Sequence, residues 1–250
     1  MNLFIEIDGK IFKINTSKPL DISIPLHSGN TNPNAFGLQV PLFKPVQAGA
    51  FIGSVAQGGS VNCEDLFLNA HGNGTHTECA GHITNERMTI NQCLKEFVFL
   101  CHLVSVPLQQ KDGDTMVTLA DVKEILGDAM VEALVIRTLP NDASKVNRVY
   151  SGNNPPYLES ALCEWLRNKG VKHLLIDLPS VDRESDDGAL VAHHAFWNHP
   201  AATRMDATIT EMVFVPNHIR DGFYLLNIQI ASLETDASPS KPVLYQLEAK

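Results

Sequence analysis

The sequence predicts a single α/β (α+β) domain over residues 1–250, with a mixed β-sheet core and flanking helices. Strand-like apolar runs alternate with helix-like segments through the middle and late chain, whereas the beginning is mostly strand-like. Apolar residues make up 44% of the chain and charged residues 19%, which is typical of a globular protein with a sizeable core. No internal repeat or linker interrupts this pattern, so one domain is expected.

The N-terminal region has the pattern of a β-hairpin followed by a long loop. Residues 1–15 alternate apolar with polar side chains around a turn at residues 8–10 (Asp-Gly-Lys). Residues 21–37 (DISIPLHSGNTNPNAFG) start as a strand and continue as a loop rich in Pro, Asn and Gly. Loops of this length and composition are often binding loops. The glycines of residues 57–60 (QGGS) indicate a turn and lack the spacing of a nucleotide-binding loop.

The later elements are predicted from their periodicity. Apolar runs predict strands over 97–106, 133–138, 171–180 and 223–233, the last being the final strand of the chain. Helical spacing predicts helices over 119–127 and 158–170, each closed by a glycine. The second of them (LESALCEWLRNKG) is the clearest amphipathic helix in the sequence.

Charge and cysteine content narrow the class of partner. The chain has 19 basic and 28 acidic residues, a formal net charge of −9, and no block of Lys or Arg. This argues against binding to nucleic acids or to anionic membranes. Without a signal-peptide pattern or a run of about 18 apolar residues, the expected location is the cytoplasm. Five cysteines without a CxxC pair are expected to be reduced thiols.

The segment HGNGTHTECAGH is the strongest functional signal. It places His71, His76 and His82 within twelve residues, with Glu78 between the last two. Its three glycines disfavour a helix, each by about 1 kcal/mol relative to Ala. On an extended chain His76 and Glu78 point to the same side, which presents an imidazole and a carboxylate to a divalent metal. Sharp backbone turns at the glycines would bring His71 to the same site. The alternative is a polar loop whose histidines cap turns and bind nothing.

A second cluster lies in the late chain. His193 and His194 follow an acidic loop, residues 182–187, to which no role is assigned, and Glu211 lies further on. Adjacent side chains of an extended segment point to opposite sides, so one of the two histidines at most serves a given site. The alternative is that both histidines and Glu211 are ordinary surface residues.

Four segments, in this order, resemble the cyclase-like metal hydrolase family, to which bacterial kynurenine formamidase and isatin hydrolase belong. DISIPL at 21–26 is similar to the family's D-x-S-x-P-L, and GTHTECAGH at 74–82 to its H-x-G-T-H-x-D-x-P-x-H. DLPSVD at 177–182 and Ala192-His193-His194 with Glu211 complete the match. The resemblance implies the swivelling β/β/α fold of the cyclase and kynurenine formamidase type, and a homodimer or homotetramer.

The same resemblance implies the roles of the site residues. His76, Glu78, His193 and Glu211 match metal ligands, for which Zn²⁺ and Mn²⁺ are both suited. His82 matches the catalytic histidine, which shuttles a proton while a metal-activated water attacks. The implied enzyme is a metal-dependent amidohydrolase that cleaves an amide-type C–N bond of a small molecule, an aryl formamide or a cyclic amide.

The chain departs from the family's pattern around its first ligand. The family's first His falls on Gly72, and His71 lies one residue earlier. The Asp ligand is replaced by Glu78, and the motif's Pro by Ala80. Our interpretation is that an extra residue bulges the loop, so that His71 still binds the metal and the longer Glu78 spans the altered distance. The competing hypothesis is that the site has lost a ligand.

Substrate contacts are predicted from the aromatic residues near the motifs. The N-terminal loop offers Phe36 and no Trp, so the sequence does not point to N-formylkynurenine in particular. Trp197, beside the second cluster, is a candidate aromatic wall, and core packing is the alternative. Two rival functions are a cysteine amidase that uses Cys79 and a non-catalytic protein that binds a metal or a small ligand. Cys79 would face away from Glu78, and a pure binding site needs no His82.

Overall fold

The computed structural model of the protein describes residues 1–7, 9–127 and 129–250, and β-strands dominate it. Its strands are β1 (Asn2–Ile7), β2 (Lys10–Asn15), β3 (Leu20–Asp21), β4 (Leu42–Pro45), β5 (Gln47–Ala48), β6 (Phe51–Ile52), β7 (Glu64–Phe67), β8 (His76–Cys79), β9 (Val98–Pro107), β10 (Gln109–Lys111), β11 (Asp114–Val117), β12 (Ala133–Leu139), β13 (Tyr157–Leu158), β14 (His173–Ile176), β15 (Thr208–Glu211), β16 (Gly222–Ile230), β17 (Ala237–Gln246) and β18 (Glu248–Ala249). Its α-helices are α1 (Ala70–Asn73), α2 (Ile90–Cys93), α3 (Leu119–Leu126), α4 (Ser160–Asn168) and α5 (Val191–Trp197). Turns of 3₁₀ helix lie at Val55–Gln57, Ala80–His82 and Ala143–Asn147.

A closed β-barrel forms the core of the described chain. Its strands follow the order β16-β9-β12-β14-β15-β8-β17, and β17 pairs back with β16. The central strands β9, β12, β14 and β15 are parallel, while β8 and β16 join their neighbours antiparallel. The predicted mixed α/β class with flanking helices is confirmed. The sequence did not predict that the sheet closes into a barrel.

The continuous apolar runs of the central strands follow from burial on both faces. In β12, Val135 packs in one apolar cluster with side chains from the other barrel strands, such as Leu103 and Leu226. Its neighbour Leu134 packs in a second cluster, which contains Leu162 of α4 and the apolar side chains of α3 and α5. One cluster therefore fills the barrel, and the other joins its wall to a helical layer.

The predicted helices and strands of the middle chain are confirmed with small shifts of their ends. Helix α3 starts after the N-cap Thr118, whose side chain accepts a hydrogen bond from the backbone N–H of Asp121. Gly127 and Gly170 follow α3 and α4 with positive φ angles of 56° and 86°. None of the helices in the described ranges is both long and apolar enough to cross a membrane.

The predicted last strand needs correction, whereas the N-terminal hairpin is confirmed. The strand predicted over 223–233 is not the last, because β17 follows it and closes the barrel. The sequence does not predict β17 because it contains Pro239 and Pro242, and proline is rare inside central strands. At the N-terminus β1 and β2 pair as a hairpin, and residue 8 of the predicted turn lies outside the described residues. The predicted strand at the start of 21–37 is only the two-residue strand β3, and a loop follows it.

Candidate metal centre

Strand β8 carries the centre of the site. His76 and Glu78 alternate with Cys79, whose side chain belongs to the cluster that fills the barrel. The two potential ligands therefore face the outer layer, on the same side as predicted. Strand β15 pairs antiparallel with β8 and places Glu211 directly opposite His76. These three side chains are almost completely buried.

The structure brings together the five side chains that the sequence predicts as metal ligands, which are those of His71, His76, Glu78, His193 and Glu211. Glu78 is central: its Oε1 lies 3.1 Å from Nε2 of His193, and its Oε2 lies 3.1 Å from Nδ1 of His71. Nε2 of His76 lies 3.4 Å from Oε2 of Glu211, and Nε2 of His193 lies 3.9 Å from Oε1 of Glu211. Three imidazoles and two carboxylates thus converge on one small volume.

Each of these imidazoles is held through its second ring nitrogen, the one that faces away from Glu78 and Glu211. The holding atoms are the carbonyl oxygen of Gly74 for Nδ1 of His76 (2.9 Å), Oδ2 of Asp182 for Nδ1 of His193 (2.6 Å) and Oδ2 of Asp236 for Nε2 of His71 (2.8 Å). Histidines that bind metals almost always have such a partner on the second nitrogen, because it fixes the ring and the tautomer. The arrangement therefore has the outer contacts that a metal centre requires.

Two buried polar atoms test whether the site fits a cation. Nε2 of His76 and Oε2 of Glu78 make no hydrogen bond within the described structure. Nδ1 of His71, 3.1 Å from Oε2 of Glu78, makes an ionic contact with this oxygen but no hydrogen bond. Leaving a buried polar group unpaired costs about 1–3 kcal/mol. A divalent cation would satisfy both atoms. The residues of the site therefore fit the divalent metal that the sequence predicts.

The protonation of the site without a cation follows from its charges. Burial alone would lower the pKa of His193, but hydrogen bonds to Asp182 and Glu78 raise it to about 10. Burial is likewise outweighed at His71, where Asp236 and Glu78 raise the pKa to about 10. Burial would raise the pKa of Glu78, yet the neighbouring histidines hold it well below its usual value. Protons on His71 and His193 therefore compensate Glu78 until a cation displaces them.

His82 lies at the edge of this cluster, on the 3₁₀ turn that follows β8. Its ring stacks on that of His71 with centroids 4.4 Å apart, and its Nδ1 lies 3.2 Å from Oδ2 of Asp236. Nδ1 of His82 is 4.0 Å from the nearest oxygen of Glu78, and the side chain is 29% exposed. His82 can thus reach both the cluster and the solvent-facing cavity.

A cavity of about 230 Å³ opens onto the cluster. His71, His82, His193 and Glu211 form its inner wall, and residues of the acidic loop form its rim. Phe36 lines it as well, with 41% of its surface exposed and a positive φ of 61° that is unusual for a bulky side chain. A larger groove of about 870 Å³ along β4 and β7 has no imidazole or carboxylate in its described lining.

Trp197 does not line the cavity, contrary to the expectation of an aromatic wall. It is completely buried in the helical layer, and its indole N–H donates to the carbonyl oxygen of Ala207 at 3.0 Å. Its ring centroid lies 5.4 Å from that of His193. Trp197 therefore supports His193 from behind, which agrees with the alternative of core packing.

The histidine pair is helical rather than extended. His193 and His194 lie on α5, where neighbouring side chains diverge by about 100° because the helix has 3.6 residues per turn. His193 points into the cluster, while Nδ1 of His194 contacts the carbonyl oxygen of His199 at 3.0 Å. One histidine of the pair faces the site, as expected, but the reason is the helix.

His71, where the sequence analysis proposes an extra residue, lies on a helical turn. Helix α1 carries His71, which corrects the expectation of a non-helical segment at this end of the motif. The side chain of Asn69 caps this turn by accepting from the N–H of Gly72. A Cβ at Gly72 would lie 2.5 Å from Cδ1 of Leu38 and 3.1 Å from the carbonyl oxygen of Ala35, so a larger residue here would force Leu38 to move.

Two carboxylates of the site, those of Asp182 and Asp236, were not predicted from the sequence. Asp182 begins the acidic loop, and its oxygens also accept from the backbone N–H groups of Ala192 and His193. Its place in DLPSVD was a usable signal, because that segment belongs to the resemblance. Asp236 had no local signal, since it lies 154 positions from His82 in the sequence.

Cys79 is placed where it cannot act as a nucleophile toward the cavity. Its side chain faces the barrel interior, as the alternation of β8 predicted. A hydrogen bond with Cys93, together with burial, raises the pKa of the Cys79 thiol far above its usual value. The geometry therefore offers no support for a cysteine amidase.

The closed barrel and its histidine–carboxylate cluster place the protein in the cyclase fold class. A solved structure described as a potential metal-dependent hydrolase with cyclase activity matches with a TM-score of 0.66 and 16% identity, over 91% of this chain and 97% of that one. An isatin hydrolase bound to the product analogue thioisatinate matches with a TM-score of 0.66 and 10% identity, over 93% and 94% of the two chains.

Sequence comparison identifies the family. The model of the family described as Putative cyclase matches residues 20–183, and the chain belongs to this family. The kynurenine formamidase of Bacillus cytotoxicus is 29% identical over 238 residues, which cover 94% of this chain and 97% of that protein. The kynurenine formamidase of Bacillus anthracis is 28% identical over 231 residues, covering 92% and 98%.

Proposed function

We propose that the protein is a metal-dependent amidohydrolase that acts on a C–N bond other than a peptide bond, in an aryl formamide or a cyclic amide. The observation that carries the proposal is the convergence of three imidazoles and two carboxylates on a cavity that His82 also lines. The kynurenine formamidases among its relatives and the isatin hydrolase fold support the same bond type.

The side chains that would hold the metal are His71, His76, Glu78, His193 and Glu211. Two carboxylates balance the charge of one divalent cation, and this mixed set suits Zn²⁺ or Mn²⁺. When bound, such a cation lowers the pKa of water and polarises a carbonyl oxygen. The two oxygens of Glu78 face His71 and His193, so Glu78 would join these two histidines in holding the metal.

His82 is the group that moves the proton. Asp236 engages its Nδ1, which leaves Nε2 for the cavity. From there His82 can take a proton from the attacking water and deliver it to the leaving nitrogen. Phe36 supplies an apolar surface at the mouth, which favours a substrate with an aromatic ring. The modest volume of the cavity favours a small molecule.

The test is hydrolysis of a panel of aryl formamides, N-formylkynurenine included, together with lactams and imides. Zinc- and manganese-loaded wild type should turn over at least one class, and chelation should abolish the activity. His82→Ala should keep its metal and lose about 10²–10⁴-fold in kcat. His194→Ala is the matched control, because this neighbouring histidine points away from the cluster and should leave kcat unchanged.

Metal-loaded wild type that hydrolyses nothing in the panel would refute this proposal and leave the metal- or ligand-binding protein as the better description. Full activity in His82→Ala would remove His82 as the proton carrier. Location in the cytoplasm and assembly into a homodimer or homotetramer stay predictions.

A further inference from the structure

Asp236 contacts two histidines of the site through a single oxygen atom. Its Oδ2 lies 2.8 Å from Nε2 of His71 and 3.2 Å from Nδ1 of His82. The two rings stack with an interplanar angle of 28°, so the carboxylate meets both at the same edge of the stack. No other carboxylate in the described chain joins the candidate ligand His71 to His82 at hydrogen-bond distance.

The backbone of Asp236 is anchored to the strand that carries the ligands. Its carbonyl oxygen accepts the N–H of Cys79 at 3.0 Å, and the preceding Thr235 accepts the N–H of Ile90 at 2.8 Å. Ala237, the next residue, pairs with Glu78 across β17 and β8. The carboxylate is therefore held at a fixed place beside the cluster, and a rigid support is what a positioning group needs.

We infer that Asp236 is the positioning residue of this site, holding His71 toward the metal and His82 toward the substrate in one arrangement. The inference rests on the proposed function, since it assigns His71 and His82 the roles given there. Asp236 contacts Nε2 of His71 and Nδ1 of His82, and it acts through these two imidazoles.

The chemistry of the carboxylate fixes which ring nitrogens carry hydrogen. An ionised carboxylate only accepts hydrogen bonds, so each histidine must present an N–H to it. Aspartate is ionised at neutral pH because its ordinary pKa is about 4. His71 then donates through Nε2 and keeps the Nδ1 lone pair for a cation. His82 donates through Nδ1 and keeps Nε2 for proton transfer.

A direct metal-ligand role for Asp236 is the competing interpretation. The ligand atoms of Asp236, His71 and His82 all lie within 4.8 Å of one another, which is compatible with a cation between them. The geometry favours positioning, because Asp236 meets the Nε2 side of the His71 ring while Glu78 meets its Nδ1 side. Glu78 and Nδ1 of His71 would hold the cation together, and Asp236 would hold the ring through its other nitrogen.

Asp182 provides an internal comparison. It also holds one histidine ligand, but its remaining contacts are to the backbone N–H groups of Ala192 and His193. Removing Asp182 should loosen His193 and leave His82 as it is. Only the loss of Asp236 should disturb a ligand and the proton carrier together.

The experiment compares Asp236→Ala and Asp236→Asn with wild type in the full-length, zinc-loaded protein. For Asp236→Ala we expect kcat to fall about 10–100-fold with KM within about 3-fold, and the zinc affinity to fall about 10–100-fold. Nitrogen-15 NMR of His82 should change from a pure Nδ1–H form to a mixture of tautomers. Asp236→Asn retains an acceptor oxygen and should recover part of each loss.

Two control variants accompany these measurements. Glu234→Gln removes an exposed carboxylate two residues away, whose oxygens bind Thr89 and Asn91, and it should match wild type. Asp182→Asn should weaken zinc binding without changing the tautomer of His82.

Two outcomes would overturn the inference. Loss of one zinc equivalent at saturating metal in Asp236→Ala or Asp236→Asn would make Asp236 a ligand. An unchanged His82 tautomer with unchanged kcat would remove any positioning role. If Asp236→Ala does not fold, the same two criteria apply to Asp236→Asn. Absence of hydrolysis in wild type would refute the proposed function, whereas the tautomer and the zinc affinity would still decide the role of Asp236.

Discussion

His76 and Glu211 are direct cross-strand partners in the barrel wall, and Nε2 of His76 lies 3.4 Å from Oε2 of Glu211. Their approach depends on the register of β8 against β15, because a shift by one residue would turn one side chain to the opposite face. Two potential ligands from distant parts of the sequence are therefore placed by backbone hydrogen bonds. The consequences can be tested residue by residue.

Glu211→Gln should lower the zinc affinity of the purified protein by more than about 100-fold. Loss of a direct ligand should exceed the roughly 10–100-fold cost of losing an outer contact. The amide can still accept the N–H of Val181, so the fold should persist. Competition with a chelator measures the affinity, with the exposed Glu164→Gln as the control. An affinity equal to that of wild type would exclude Glu211 as a ligand.

Phe36→Ala should raise KM for an aromatic substrate about 10-fold, which corresponds to about 1.4 kcal/mol of lost apolar contact. Phe36 has a left-handed backbone, so Phe36→Gly should lose the same binding and be more stable than Phe36→Ala by about 1–2 kcal/mol. Steady-state kinetics and urea denaturation measure the two effects. Phe223→Ala, an exposed aromatic on β16, is the control, and an equal rise of KM there would contradict the assignment.

Trp197→Phe should destabilise the protein while leaving KM unchanged. The substitution leaves the buried carbonyl oxygen of Ala207 without its donor and reduces packing behind His193, at a cost of about 1–3 kcal/mol. The free energy of unfolding from urea titration should show this loss. A raised KM at unchanged stability would instead restore Trp197 as a substrate contact.

His173 should make the metal-free protein less stable in mild acid. Burial lowers its pKa from 6.5 to about 4, with the ring packed on Phe99 and Nδ1 against the hydroxyl of Thr208. Between these values the unfolded chain binds more protons, so the free energy of unfolding falls as the pH drops. The fall from pH 6.5 to about 4 should reach about 3 kcal/mol.

The measurement for His173 is the urea midpoint across this pH range, in wild type and in His173→Asn. Other groups titrate in both proteins, so the difference between the two curves isolates His173. Parallel curves would show that His173 does not contribute.

Local patterns predicted those elements whose burial is decided by near neighbours. The runs of β12 and β14 are apolar on both faces, and the amphipathic helix α4 has a single buried face. The same patterns could not predict β17, because hydrogen bonds to β8 and β16 impose an extended conformation on a segment with two prolines. Tertiary pairing overrides local preference there.

The site residues also divide into those that local patterns predict and those that only tertiary contacts place. His76 and Glu78 could be paired from strand alternation alone, because two residues suffice to define a side of the chain. The helical turn at His71 packs against the N-terminal loop, where the N–H of Ala35 donates to the carbonyl oxygen of Gly72, and the local sequence does not encode this contact. Asp236 reaches the site through the pairing of β17 with β8, so its role becomes visible only in three dimensions.

Barrel closure by β17 also has a consequence for the order of biosynthesis. A growing chain exposes the histidines of β8 and its flanking turns long before residues 237–246 are made. Until then β8 lacks one of its two neighbours, and Asp236 is absent from the stack of His71 and His82. Hydrolytic competence would thus arise only once the last barrel strand has docked, so that activity itself reports completion of the fold.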